Sequence, residues 1–145
     1  MVNGASVVEA KGLGLTFETA DGPVHALSDV NLAISKGEFV SFIGPSGCGK
    51  TTFLRVIADL EQPTAGAITV NGHSPEQARK DRSYGYVFQG AALYPWRTIE
   101  RNVGLPLEIM GYSKAEQQRR IARTLEMVNL SGFEQKFPWQ LSGGM

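Results

Sequence analysis

The stretch GPSGCGKTT, from Gly44 to Thr52, constrains this chain more than any other. It fits the pattern G-x-x-x-x-G-K-[ST] through Gly44, Gly49, Lys50 and Thr51. A loop of this kind suits a polyphosphate. Its glycines let backbone N–H groups approach the anion with no Cβ in the way, and a helix starting there adds its positive end. Lys50 reaches the outer phosphates as a point charge, and the Thr51 hydroxyl is a ligand type for Mg²⁺. Gly44, Pro45, Ser46, Gly47, Cys48, Gly49, Lys50, Thr51 and Thr52 are therefore all candidate phosphate-binding residues. Cys48 reads as a small neutral filler, since no acid–base partner for a catalytic thiol is identifiable beside it.

The flanking sequence predicts the context that the motif requires. The apolar run FVSFI, residues 39–43, is expected to be a strand entering the loop. KTTFLRVIADLEQP is expected to be a helix, with Phe53, Leu54, Ile57 and Leu60 on one face and Pro63 just beyond its end. VNLAI alternates as a half-buried strand, AGAITVNG is a strand closed by an Asn-Gly turn, and SYGYVFQ is a further strand. After Gln89 the texture becomes helical. SKAEQQRRIARTLEMVNL carries a capping-box pattern at Ser113 and Glu116, an apolar stripe of Ile121, Leu125 and Val128, and Gly132 past its end. The chain thus reads as α/β, with a mixed part over residues 1–90 and a smaller helical part over 91–145.

Composition narrows the function. The 145 residues carry 14 basic and 14 acidic side chains, so no global positive field attracts nucleic acid. One cysteine, Cys48, rules out an intramolecular disulfide and a cysteine-based zinc site. The N-terminus lacks the pattern of a secretory signal, and no window approaches the roughly 18 apolar residues of a membrane span. Any membrane role is expected to be peripheral. His25 and His73 read as solvated loop residues, and the arginines of QQRR as a solvated helix face.

A phosphate loop alone leaves kinases, GTPases, motor ATPases and transport ATPases open. Three features in fixed order choose among them: GPSGCGKTT, then VFQ at Val87 to Gln89, then LSGGM ending at Met145. Together they resemble the ATP-binding-cassette (ABC) ATPases, over essentially the whole chain. The segment LYPWRTIERNVG, beginning at Leu93 and ending at Gly104, resembles the importers of nitrate, sulfonate and taurine-like compounds within that family.

The resemblance implies a P-loop NTPase fold of ABC type, with an N-terminal antiparallel β-subdomain and an inserted helical subdomain ending at the signature motif. It implies an ATP-binding, energy-coupling subunit that in complete form hydrolyses MgATP to drive solute uptake. Lys50 and Gln89 would be its catalytic residues, with Thr51 and Gln89 at the metal and Phe17 stacked on adenine. Ser142, Gly143 and Gly144 would grip the γ-phosphate of ATP held by a second copy of the chain. A serine hydroxyl and glycine N–H groups at a helix start suit that anion. Met145 stands where the family commonly has glutamine, which leaves those donors intact. The implied partners are a membrane-spanning permease subunit docked on residues 93–104 through Tyr94, Pro95 and Trp96, a second ATPase copy, and a periplasmic or extracellular binding protein. The implied location is the cytoplasmic face of the inner membrane.

Other family features lie outside these residues. No run of apolar residues ends in Asp-Glu, so the family's general base is absent, as is its switch histidine. The strands that the family places between the phosphate-loop strand and the glutamine-loop strand are also absent. The chain is thus expected to be the N-terminal portion of such an ATPase, inactive alone, with a gap at the centre of its parallel sheet. Competing readings are a non-enzymatic nucleotide-binding remnant, a soluble ABC-type ATPase of DNA maintenance, and a small-molecule P-loop kinase. The short interval between Gln89 and Ser142, without sustained heptads, disfavours the second, and LSGGM disfavours the third.

Overall fold

The computed structural model describes residues 6–90 and 92–145. The chain divides into two compact units, Met1–Val87 and Phe88–Met145.

The first unit is built on an antiparallel hairpin of β1 (Ser6–Thr19) and β2 (Gly22–Ser35), with a third strand completing the sheet order β2-β1-β3. That strand, β3 (Ala65–Val70), pairs antiparallel with β1 and closes through the predicted Asn-Gly turn. Asn71 and Gly72 both take positive φ, 51° and 78°, and His73 pairs back onto Val70, as a tight hairpin turn requires. Helix α1 (Lys50–Ile57) contributes Phe53 and Val56 to a core made with Ala10, Leu13 and Leu15 of β1 and Leu27 of β2. A second short helix, α2 (Pro75–Lys80), is capped by Ser74, whose hydroxyl accepts from the Gln77 N–H.

Three sequence expectations are corrected in this unit. Residues 39–43 form no strand among the described residues. They keep a strand's alternation: Val40 and Phe42 are half-buried, while Phe39 and Ile43 are each 94% exposed. The Phe42 ring meets Phe53 edge-on at 5.6 Å, which pins one face to the core. A strand exists only as part of a ladder, and no described strand lies alongside this stretch. Residues 83–89 likewise form no strand, and Val87 is 95% exposed. The third correction concerns α1. It ends at Ile57, so Leu60 lies beyond it, and Phe53 with Val56 makes the buried face while Leu54 is exposed.

The end of α1 is knotted to α2. Asp59, at φ 52°, accepts from the Arg79 Nε at 2.7 Å and from the Gln62 amide at 2.6 Å. Burial pushes the Asp59 carboxyl up, but those hydrogen bonds and the charges of Arg79 and Lys80 outweigh it and hold it below its ordinary value. The Tyr84 hydroxyl donates to the Ala58 carbonyl at 2.7 Å, tying the next segment to the same corner.

The second unit is an antiparallel pair, α3 (Ile99–Ile109) and α4 (Lys114–Met127). The two helices approach closely at Gly104, where a Cβ would lie 2.9 Å from the Ile121 side chain. The cap expected at α4 is present on one side: the Ser113 hydroxyl accepts from the Glu116 N–H, while the Glu116 carboxylate holds Arg119 and Arg120. Of the expected stripe, Leu125 is buried and Ile121 half-buried, but Val128 falls past the helix end and is exposed. The segment after α4 returns to cap α3, its Lys136 and Glu134 carbonyls accepting from the Ile99 and Glu100 N–H groups. A short 3₁₀ turn, Pro138–Gln140, leads to the final loop. Among the described residues no helix is long and apolar enough to cross a membrane.

Candidate functional site

In the first unit the loop before α1 folds around its own lysine. Lys50 Nζ donates to the carbonyls of Gly44 at 2.9 Å and Pro45 at 2.6 Å, and lies 3.3 Å from Cys48 Sγ. The ammonium thereby sits inside the curve of the loop, on the loop's own oxygens. Gly49, at φ 93°, closes the curve onto β2: a Cβ there would lie 2.6 Å from the Ala26 carbonyl. Only glycine satisfies both the conformation and the contact. Gly49 is also the N-cap of α1 and supplies no side chain to its N–H groups; its carbonyl accepts from Phe53. The helix start therefore presents backbone donors beside a lysine, which is the chemistry of an anion site. Ser46, Gly47, Cys48 and Thr51 are exposed along the loop, and Thr52 is half-buried.

Beside the loop an open groove of about 410 Å³ is lined by Leu27, Val30, Leu32, Phe42, Cys48 and Lys50. Its floor is apolar and its end is the loop. Phe17 lies on β1 opposite Val24, half-buried and packed against the core. The other predicted site residues belong to the second unit. Gln89 is exposed, outside any helix or strand. Ser142, Gly143 and Gly144 are exposed in a terminal turn in which the Met145 N–H donates to the Ser142 carbonyl.

The aromatic segment of the second unit is held from within. The Tyr94 and Trp96 rings meet at a tilt of 38° with centroids 5.0 Å apart, and Trp96 is 71% exposed. Behind them the buried Asn102 accepts from the Tyr94 N–H at 2.8 Å and donates to the carbonyls of Tyr94, Arg97 and Thr98. Arg97 grips both oxygens of Glu108 at 2.7 and 2.8 Å. Sequence reasoning missed Asn102 and the Arg97–Glu108 pair. The available signal was an amide three residues after Ile99, on the face of α3 that is otherwise buried.

Comparison with known proteins gives the family. The model of the ABC transporter family matches residues 27–145. An uncharacterized ABC transporter ATP-binding protein of Methanocaldococcus jannaschii is 43% identical over 95% of this chain and 51% of its own length. The taurine import ATP-binding protein TauB of Pelagibacter ubique is 40% identical over 94% of this chain and 51% of its own. An Fe(3+) ions import ATP-binding protein, FbpC 1 of Pectobacterium atrosepticum, is 41% identical over 96% and 39%. This chain thus spans about half the length, or less, of these curated relatives. Among solved structures, the ATP-binding cassette MJ0796, dimeric in a post-hydrolysis state with ADP and Pi, superposes with a TM-score of 0.82 at 37% identity, covering 94% of this chain and 63% of that one.

Proposed function

The chain belongs to the ABC transporter family, and from that premise we propose that it is the ATP-binding, energy-coupling part of an importer, built to hold MgATP. The observation that carries this reading is the loop curled around Lys50 at the uncapped start of α1. The loop's N–H groups and Lys50 bind the phosphates, and Phe17 offers an aromatic edge for the base. Among the described residues no cluster of three or more His, Cys, Asp or Glu could hold a metal. For the magnesium of MgATP, the Thr51 hydroxyl beside Lys50 would be one ligand, and the family resemblance assigns Gln89 of the second unit to the same ion. When bound, the ion neutralises phosphate charge.

The remaining roles follow as parts of the same proposal. Residues 1–90 are the β-subdomain with part of the ATPase core, and residues 91–145 are the helical subdomain. Ser142, Gly143 and Gly144 serve the nucleotide of a second copy. The paired Tyr94 and Trp96 rings, on a loop held by Asn102, suit a docking surface for a membrane permease, since rigid aromatics anchor interfaces. The location is then peripheral, on the cytoplasmic face of the membrane, with an external binding protein in the same system. Relatives of similar identity are named for taurine and for Fe(3+) import. These 145 residues contain no apolar strand ending in Asp-Glu, and we infer binding without useful turnover from them alone. That reading includes the non-enzymatic alternative as the state of the isolated chain.

A fluorescent ATP analogue titrated into the purified chain with Mg²⁺ tests the proposal. Saturable binding is expected, and Lys50→Ala is expected to weaken it by at least about tenfold, the loss of a charge-assisted contact of about 1.5–3 kcal/mol. Equal binding by the variant would overturn the reading.

A further inference from the structure

One flank of the α3–α4 pair carries a groove that nothing above uses. Its volume is about 350 Å³. Val103 and Leu107 of α3 and Ile121 and Met127 of α4 make it apolar, while Arg120 and Arg123 line its edge and no carboxylate does. The two arginines differ in how they are held. The Arg120 Nε donates to Glu116, and its guanidinium lies 4.3 Å from the centre of the Tyr112 ring. That fixes the plane of the fork before any ligand arrives. Arg123 enters no ion pair among the described residues. Met127 is 74% exposed, a soft apolar side chain at a lip where an adaptable contact is useful.

Apolar floor, cationic edge and a lining without acids are complementary to one ligand shape. We propose that this flank docks an acidic amphipathic helix of a partner protein, whose leucine-type anchors enter between α3 and α4 while its carboxylates meet Arg120 and Arg123. Helix-in-groove recognition takes anchors at i, i+3 or i+4 and i+7, and charge sets its orientation. The groove's polar edge lies wholly on α4, outside residues 93–104. Of its lining only Val103 falls within residues 93–104, so its cationic edge is distinct from the aromatic surface proposed for the permease, and it does not depend on nucleotide binding.

The test is fluorescence anisotropy of the full chain with a labelled synthetic peptide carrying leucines at helical spacing flanked by glutamates. A twin peptide with lysines in place of the glutamates is the comparison. The acidic peptide is expected to bind at least about tenfold more tightly than its twin, and Arg120→Glu/Arg123→Glu is expected to remove that preference. Arg123→Glu alone disturbs no internal pair and is expected to give a partial loss, while Met127→Ala weakens both the wild-type affinity and the residual one. Lys114→Glu, away from this flank, is expected to change nothing. Circular dichroism of each variant confirms that the helices persist. Equal affinity for both peptides would overturn the proposal, as would binding indifferent to Arg123. So would phosphatidylglycerol vesicles capturing the chain through the same arginines while the acidic peptide fails to bind.

Discussion

The first unit contains two apolar stretches of similar character. Leu13, Leu15 and Phe17 of β1 alternate with smaller or polar residues, and so do Val40 and Phe42 within residues 39–43. Both keep one face toward the same core. Yet β1 is flanked on both edges, by β2 and β3, while residues 39–43 have no described strand beside them. Leu13 is fully buried and Phe39 and Ile43 are almost fully open. Side-chain pattern sets which face turns inward; a neighbour's hydrogen bonds decide whether a strand forms.

The contrast can be broken most forcefully by truncation. Leu13→Ala removes a side chain with no exposed surface and is expected to cost about 2–5 kcal/mol, because the cavity cannot fully collapse. Ile43→Ala, an equally apolar truncation, is expected to change stability by no more than about 0.5 kcal/mol. Urea unfolding of the chain followed by circular dichroism compares them. Similar losses for the two would mean that Ile43 is buried in solution and that residues 39–43 have found a partner.

The second unit sharpens the same lesson, since one buried amide there replaces a ladder. Asn102→Leu keeps the size of the side chain but strands the Tyr94 N–H and the carbonyls of Tyr94, Arg97 and Thr98. The expected cost is about 1–3 kcal/mol. Because Tyr94 and Trp96 lie on the released loop, a change in tryptophan emission should accompany it, and unchanged emission with unchanged stability would show that the loop holds itself.

These cases explain what was legible in the sequence. The glycine-rich loop around Lys50, the Asn-Gly turn and the Ser113 cap are short-range devices, and the shape of each was readable because its causes lie within a few residues. The family was readable because GPSGCGKTT, VFQ and LSGGM occur in order. Residues 39–43 and 83–89 were read as strands because periodicity reports a face and is silent about neighbours. In α1 Phe53 and Ile57 face the core as expected, but Val56 and not Leu54 completes that face, and Leu60 was counted in it although the chain turns at Asp59. Asn102 was missed because its partners come from a loop, and no helical period signals a loop.

The smallest expected effect concerns the corner that ends α1. The Asp59 side chain is 6% exposed and that of Arg79 is 49% exposed, so solvent screens the pair in part. The Asp59 carboxyl titrates below its ordinary value, burial opposing and the hydrogen bonds from Arg79 and Gln62 prevailing. A group whose folded pKa is depressed stabilises the fold above its unfolded pKa, about 3.9 for aspartate, and loses that contribution as pH falls through the folded value. Asp59→Asn should therefore lower the urea midpoint modestly at neutral pH, and the gap from the wild type should shrink as pH falls below about 4. A gap that stays constant across the acid range would show that Asp59 acts through the shape of the turn at φ 52° and not through its charge. Asparagine tolerates that conformation nearly as well as aspartate, so the substitution separates the two causes.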